Sequence, residues 1–162
     1  FRVNERAFQL MEQVSGRAGR KLERGLVLIQ ASKTNHPVLL FVQEHNYSGF
    51  YDFEMEMRKQ FFYPPFSRLV RITLKHKMKE TVMEAADTLG HFLEKDFENI
   101  VGPAAPIVNR VRNMFLMEIL IKLQQDATRL KNQKKVISNH IDLLKAEKKY
   151  RSVVVIADVD PF

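Results

Sequence analysis

Tyr63-Pro64-Pro65-Phe66 is the stretch that most limits how this chain folds. A proline fixes φ at about −65°, lacks a backbone N–H, and pushes the residue before it out of helical geometry. Two in a row end any helix that reaches them and cannot sit inside a central strand. The pair predicts a boundary between one unit at 1–66 and another at 67–162.

Beyond the prolines the pattern is that of a small sheet. Val70, Ile72 and Leu74 alternate with Arg71, Thr73 and Lys75, the period of a half-buried strand. Val82, Ala85, Ala86, Leu89, Phe92 and Leu93 then recur at helical spacing. Val101-Gly102-Pro103-Ala104-Ala105-Pro106 reads as a proline-punctuated turn leading into Ile107-Val108. Met114 to Leu123 reads as a long strand, with Met117, Ile119 and Ile121 on one face and Glu118 and Lys122 on the other. Leu130, Ile137, Ile141 and Leu144 stripe a second helix, and Val153, Val155 and Ala157 give a last strand. Strand-helix-strand-strand-helix-strand predicts an α+β, ferredoxin-like βαββαβ domain with both helices on one sheet face.

The first unit reads as helices around one short strand. Asn4 caps a helix carrying Phe8, Met11 and Val14 and ended by Gly16. Gly25 to Gln30 is an apolar run of the kind buried in a larger parallel sheet, yet no partner strands are visible nearby. That strand is expected to pair with a second copy, dock on the second unit or drive self-association. Asn35 and Pro37 open a helix from His36 to about His45. Ser48 caps another, striped by Phe50, Phe53, Met57 and Phe61.

Composition narrows the function classes. Net charge is +7 with pI about 9.7, which favours polyanionic partners. The excess sits mainly in residues 67–162, around Arg110, Arg112, Lys131, Lys134, Lys135, Lys145, Lys148, Lys149 and Arg151. These form either one polyanion-binding surface or the solvated faces of two helices; Arg110 and Arg112 fall in a loop before a strand, where functional contacts are commoner. There are no cysteines, so thiolate metal sites and cysteine nucleophiles are excluded within these residues. The five histidines are scattered, no Gly-x-x-x-x-Gly-Lys-Ser/Thr loop is present, and no Ser-His-Asp arrangement is signalled. Asp158 and Asp160 lie on one face of an extended segment, as the start of a metal site or as a polar strand exit. No run approaches the roughly 18 apolar residues of a membrane helix. The opening Phe1-Arg2-Val3-Asn4-Glu5 reads as an internal cut, so the chain is expected to be a fragment.

One short run carries chemistry. Gln13-Val14-Ser15-Gly16-Arg17-Ala18-Gly19-Arg20 sets two arginines three residues apart at a helix end. A guanidinium grips phosphate oxygens through a bidentate fork and stays charged at every working pH. The run resembles motif VI of superfamily 2 helicases; the plainer reading is a glycine-capped helix end with basic decoration. Arginine fingers lower a barrier only where other groups bind nucleotide, magnesium and the attacking water. None of those parts is visible in this chain, which is not expected to hydrolyse ATP alone.

From Phe8 to Phe162 the order of features resembles the C-terminal end of the bacterial primosomal replication-restart helicases, the primosomal protein N′ family. The signposts are the run at 13–20, Gly25-Leu26-Val27-Leu28-Ile29-Gln30, Asn35-His36-Pro37, Tyr63-Pro64-Pro65-Phe66, Gly102-Pro103-Ala104-Ala105-Pro106 and Asp158-Val159-Asp160-Pro161. The resemblance implies a parent that is an ATP-dependent 3′-to-5′ DNA helicase of the bacterial cytoplasm. Residues 1–66 would be the truncated end of its second RecA-like lobe with exit helices. Residues 67–162 would be a domain similar to a small ribosomal-subunit protein, binding forked or single-stranded DNA, single-strand-binding protein and primosome proteins. Arg17 and Arg20 would face the ATP phosphates, with Arg20 the better finger candidate and Gln13 a polar coupling residue. ATP and magnesium would belong to the full-length parent, with no cofactor expected in the fragment and the family's zinc site outside it. Arg110, Arg112, Lys134, Lys135, Lys148 and Lys149 are the expected DNA contacts. Where the family tends to show a basic-aromatic stretch and Gln, this chain has Leu116 and Glu118, which weakens a shared docking site for single-strand-binding protein. The rival readings are a non-catalytic ferredoxin-like RNA-binding or regulatory module, for which only Phe115 offers a stacking ring, and another superfamily 2 enzyme.

Overall fold

The computed structural model describes residues 1–18 and 26–161, with the backbone alone at Ala127. The chain divides into two compact units, Phe1–Phe61 and Phe62–Phe162, so residues 62–66 go with the second.

The first unit holds α1 (Val3–Ser15), α2 (Pro37–Gln43) and α3 (Tyr47–Gln60). Its buried core is small: Phe8, Val38, Val42 and Phe50, with the Phe8 and Phe50 rings stacked 4.2 Å apart. The caps differ from expectation. Asn4 lies inside α1, and the cap position belongs to Arg2, which makes no capping bond but donates to the Glu5 carboxylate at 3.0 and 3.1 Å. Asn46 rather than Ser48 caps α3, because its Oδ1 reaches the Gly49 N–H at 2.8 Å. The buried positions of α3 are Phe50 and Glu54, while Phe61 is 50% exposed. Glu54 is tolerated there because Arg58 donates to it at 3.4 Å and also to Glu5 at 2.8 Å. An apolar-period reading cannot find such an ion network.

Residues 26–30 form no strand, correcting the expectation for that run; Gly25 lies outside the described residues. A strand needs a neighbour for its N–H and C=O groups, and the described residues of this unit hold no other strand. Leu26 and Leu28 are left 84% and 87% exposed.

The second unit runs β1 (Ser67–His76), α4 (Lys79–Leu93), β2 (Ile100–Ala104), β3 (Arg110–Val111), β4 (Met114–Gln124), α5 (Ala127–Ala146) and β5 (Val154–Val159). All pairings are antiparallel, in the order β2-β4-β1-β5 with β3 also on β4. This is the expected α+β arrangement with one added strand. Val70, Ile72 and Leu74 sit opposite Ile121, Ile119 and Met117, which puts them on one face. There Val82, Ala85 and Leu89 of α4 and Ile137 and Leu144 of α5 complete the core. Each fully buried Leu or Ile contributes about 1.5–3 kcal/mol of transfer free energy. His140 adds a polar tie between the helices, its Nε2 lying 2.6 Å from Asp96 Oδ2 just beyond α4.

The second strand lies elsewhere than expected. It is Ile100–Ala104, the stretch read as a turn, whereas Ile107 and Val108 are fully and 63% exposed. A proline fits here because β2 is an edge strand and pairs on one side only. Gly102 makes the fit possible: at φ +102° it carries an irregularity between Val101 and Ala104 that lets pairing resume at Ala104 and Glu118.

Candidate nucleic-acid interface

Arg110 and Arg112 are part of a hairpin rather than a loop. Pairing of Arg110 with Phe115 and Val111 with Met114 leaves Arg112-Asn113 as a two-residue turn. Both turn residues have positive φ, 48° and 65°, the signature of a type I′ turn matched to the twist of its strands. Asparagine suits such a position; arginine is strained there by about 1 kcal/mol or more. The Arg110 guanidinium lies 4.9 Å from the centre of the Phe115 ring and donates to Asn113 Oδ1 at 2.5 Å. Arg112 projects from the tip, exposed.

Strand register decides what surrounds this hairpin. His76, the last residue of β1, sits opposite Phe115 near the start of β4, and Lys75 sits opposite Val154 at the start of β5. His76 Nε2 lies 3.2 Å from Ser152 Oγ in the segment after α5. The hairpin, the end of β1, the start of α4 and the chain between α5 and β5 therefore share one end of the sheet. Lys75, Lys77 and Lys79 come there from β1 and the start of α4, and Lys148, Lys149 and Arg151 from the segment after α5. Lys149 is ion-paired to Glu84, which holds its ammonium above the usual lysine range. The remaining carboxylates contributed here are Glu80 and Glu147, so positive charge dominates.

The expected DNA contacts are thus divided. Arg110, Arg112, Lys148 and Lys149 are brought together, while Lys134 and Lys135 lie in the first half of α5. Lys134 lines a small cavity with Arg68, Leu130 and Asp160 at the sheet end where β1 begins. Two arginines toward that end are answered by carboxylates: Arg68 donates to Asp160 at 2.5 Å and Arg71 to Asp158 at 3.4 Å. Asp158 and Asp160 therefore serve ion pairs that tie β5 to β1, and the described residues hold no group of three or more His, Cys, Asp or Glu placed for a metal ion. Lysines 75, 77 and 79 escaped the sequence reading. They stand about 35 residues before the hairpin in the chain, and only the antiparallel register makes them its neighbours.

In the first unit, Gln13 is exposed on the last turn of α1 and Arg17 is exposed in the turn that follows. Gly16 is right-handed at φ −67°, and the Arg17 N–H donates to Val14 O at 3.1 Å, so the chain stays coiled as far as Arg17. Gly19 and Arg20 lie outside the described residues. Beside the run, Ser15 borders an open cavity with Val27, Ile29, Leu39 and Val42. No described helix is long and apolar enough to cross a membrane.

Residues 59–162 match the family described as "Primosomal protein N C-terminal domain". The chain belongs to that family. The matched stretch takes in the whole second unit, including the hairpin and the basic sheet end. Similarity to curated relatives extends through the first unit as well. The "Replication restart protein PriA" of Bacillus subtilis (strain 168) is 31% identical over 165 residues, covering 100% of this chain and 20% of the relative. That of Treponema pallidum (strain Nichols) is 34% identical over 164 residues, covering 99% and 24%. That of Synechocystis is 36% identical over 126 residues, covering 75% and 15%. The chain spans roughly a fifth of the length of these relatives.

Proposed function

We propose that this chain is the C-terminal portion of an ATP-dependent 3′-5′ DNA helicase that restarts stalled replication forks in the bacterial cytoplasm, with the second unit binding DNA. The observation that carries the DNA reading is the basic sheet end, where the hairpin arginines meet lysines from β1 and from the segment after α5. Family membership supplies the restart context.

In the same reading residues 1–66 are the end of the second RecA-like lobe, and residues 67–162 a domain resembling a small ribosomal-subunit protein. Arg17 and Arg20 stabilise the ATP phosphates of the assembled parent, Arg20 as the finger, and Gln13 couples to them. Support lies in the exposed guanidinium of Arg17 and in the bare Leu26 and Leu28, which suit a strand whose sheet lies elsewhere. ATP and magnesium bind the parent, and the chain alone does not hydrolyse ATP. Single-strand-binding protein and primosome proteins are its partners. Leu116 and Glu118, half-buried on the face of β4 away from the helices, depart from the family's pattern at that docking strand. The RNA-binding alternative gains nothing from Phe115, whose ring packs on the core beneath Arg110.

The test is the affinity of the 162-residue chain for forked DNA across a salt series. Phosphate neutralisation releases counterions, so log K should fall with log salt by about 0.9 per phosphate contacted. Absent or salt-independent binding would overturn the reading.

A further inference from the structure

Resting on the reading that the second unit binds DNA, we infer that its basic end takes the duplex rather than the single strand, the β3–β4 hairpin lying in a groove and the cations beside it, from β1, β5 and the helix side, meeting the phosphates. The chemistry of the exposed groups makes the distinction. Surfaces that grip single strands pair a cationic groove with aromatic faces on which bases stack, each worth about 1–3 kcal/mol. The aromatic rings at this end are Phe115, Tyr150 and His76; the half-buried imidazole is held at both nitrogens, Nδ1 accepting from the Met78 N–H at 3.1 Å and Nε2 lying 3.2 Å from Ser152 Oγ. Phe115 is packed on the core and covered by the Arg110 guanidinium at 4.9 Å. Tyr150 is 6% exposed, with the Lys149 ammonium 5.6 Å from its ring centre. Among the described residues at this end no open ring is left to stack a base, and recognition rests on charge and shape.

The shape suits a double helix. Arg112 tips the hairpin, Lys77 follows the end of the adjacent β1, and Arg151 precedes the start of β5 beyond it. At about 4.8 Å per strand these cations spread over roughly 10 Å, comparable with a major groove about 12 Å wide that admits a two-stranded ribbon. The type I′ turn holds the ribbon tip in one conformation, and Lys79 and Lys148 flank it from the helix side. Duplex DNA offers a phosphate charge about every 1.7 Å of axis, the density that a row of cations without stacking residues exploits. Chain entry through residues 62–66 is at the opposite sheet end, where β1 begins.

The experiment is fluorescence anisotropy of the 162-residue chain on a duplex and on a single strand of equal length and sequence, over a salt series. Arg112→Gly removes the tip charge while placing at φ 48° the residue that favours it, so the fold is retained; an unchanged or raised melting temperature checks this. The expected results are tighter binding of duplex than of single strand, a roughly 3- to 10-fold loss of duplex affinity in Arg112→Gly and in Lys77→Glu, and a salt slope smaller by about one in Arg112→Gly. Lys134→Glu, at the other end, should cost less than twofold. Equal or tighter single-strand binding, or a Lys134→Glu loss matching that of Arg112→Gly, overturns this inference and leaves DNA binding standing. Failure to bind either DNA overturns the DNA reading itself.

Discussion

Replacing Gly102 by alanine tests whether the β2 irregularity holds this sheet together. A Cβ built there would meet Glu118 O at 2.7 Å and Ala104 N at 3.1 Å, both backbone atoms that cannot swing aside. The φ of +102° is one that L side chains rarely adopt, which costs about 1–3 kcal/mol by itself. Relieving the clash pushes β2 from β4 at the Ala104–Glu118 pairing, adding roughly the 0.5–1.5 kcal/mol of a displaced hydrogen bond. The sum is about 2–4 kcal/mol, against a total stability of about 5–15 kcal/mol for a domain. For a unit of this size each kcal/mol lowers the melting temperature by about 4–8 °C, so a fall of roughly 10–30 °C is expected by calorimetry. Gly90→Ala is the control. Its Cβ would meet only Pro103 side-chain atoms, the nearest at 3.2 Å, and alanine gains about 1 kcal/mol of helix propensity, so the net change should stay within about 1 kcal/mol. A Gly102→Ala loss below about 1 kcal/mol, or a loss equal to that of Gly90→Ala, would refute the reasoning.

Other perturbations probe the two units separately. Arg58→Ala strands the Glu54 carboxylate, whose side chain is 8% exposed, and should cost the first unit about 2–4 kcal/mol in urea unfolding, with Glu54→Gln distinctly milder. Equal losses would mean that packing rather than charge pairing matters there. Acid should weaken both units: hydrogen bonds from Arg2, with help from Arg58, hold Glu5 below the usual carboxylate range, and the amides of Arg129 and Thr128 do the same for Asp126. Since both are depressed on folding, their stabilisation is complete above the ordinary values of about 4.3 and 3.9 and is lost as pH falls through the folded ones. A melting temperature unchanged down to pH of about 3 would contradict this assignment. Leu28→Lys should abolish any concentration-dependent self-association seen by sedimentation, because Leu28 is 87% exposed; unchanged association would place the contact elsewhere. In a full-length parent, Arg20→Ala should cut ATP turnover by roughly 10³-fold or more with little change in ATP affinity, and retained turnover would remove Arg20 from the finger role.

The second unit was legible wherever one face of an element meets the core. Val70, Ile72 and Leu74, the α4 stripe and Met117 to Ile121 were read from period alone, because burial on one side prints directly onto sequence. The strand at Ile100–Ala104 was not, since an edge strand that contains proline and a left-handed glycine wears the composition of a turn. Its neighbour Ile107-Val108 looked stronger as a β-branched pair, yet among the described residues no strand pairs with it, and both side chains are exposed. The first unit shows the converse. Leu26 to Gln30 has strand composition without sheet neighbours, so its propensity is not realised. Buried Glu54 was invisible because its justification lies on two arginine contacts, one of them linking α3 to α1.

The candidate binding surface was legible only in part, and the reason is the antiparallel register. Arg110 and Arg112 drew notice as close neighbours in sequence, and the lysines of α5 as a run, but a surface is a set of element ends. β1 leaves the sheet where β4 enters it, so Lys75 and Lys77 belong with the hairpin although some 35 residues separate them. By the same geometry Lys134, near the start of α5, must fall at the end where β1 begins, beside an Arg68 already held by Asp160. Had the basic residues been mere solubilising decoration, both ends should carry similar uncompensated charge. Instead the carboxylates Asp158 and Asp160 answer Arg71 and Arg68 toward one end, while among the described residues the carboxylates contributed near Arg112 and Lys77 are Glu80, Glu84 and Glu147, with Glu84 taken by Lys149. Asymmetry of that kind focuses field lines toward one surface and raises the local concentration of a polyanion before any contact is made. Reversing it, by Lys77→Glu with Lys148→Glu, should therefore lower the association rate for DNA as well as raise the dissociation rate, and an unchanged association rate in stopped-flow would show that these lysines contact DNA without steering it.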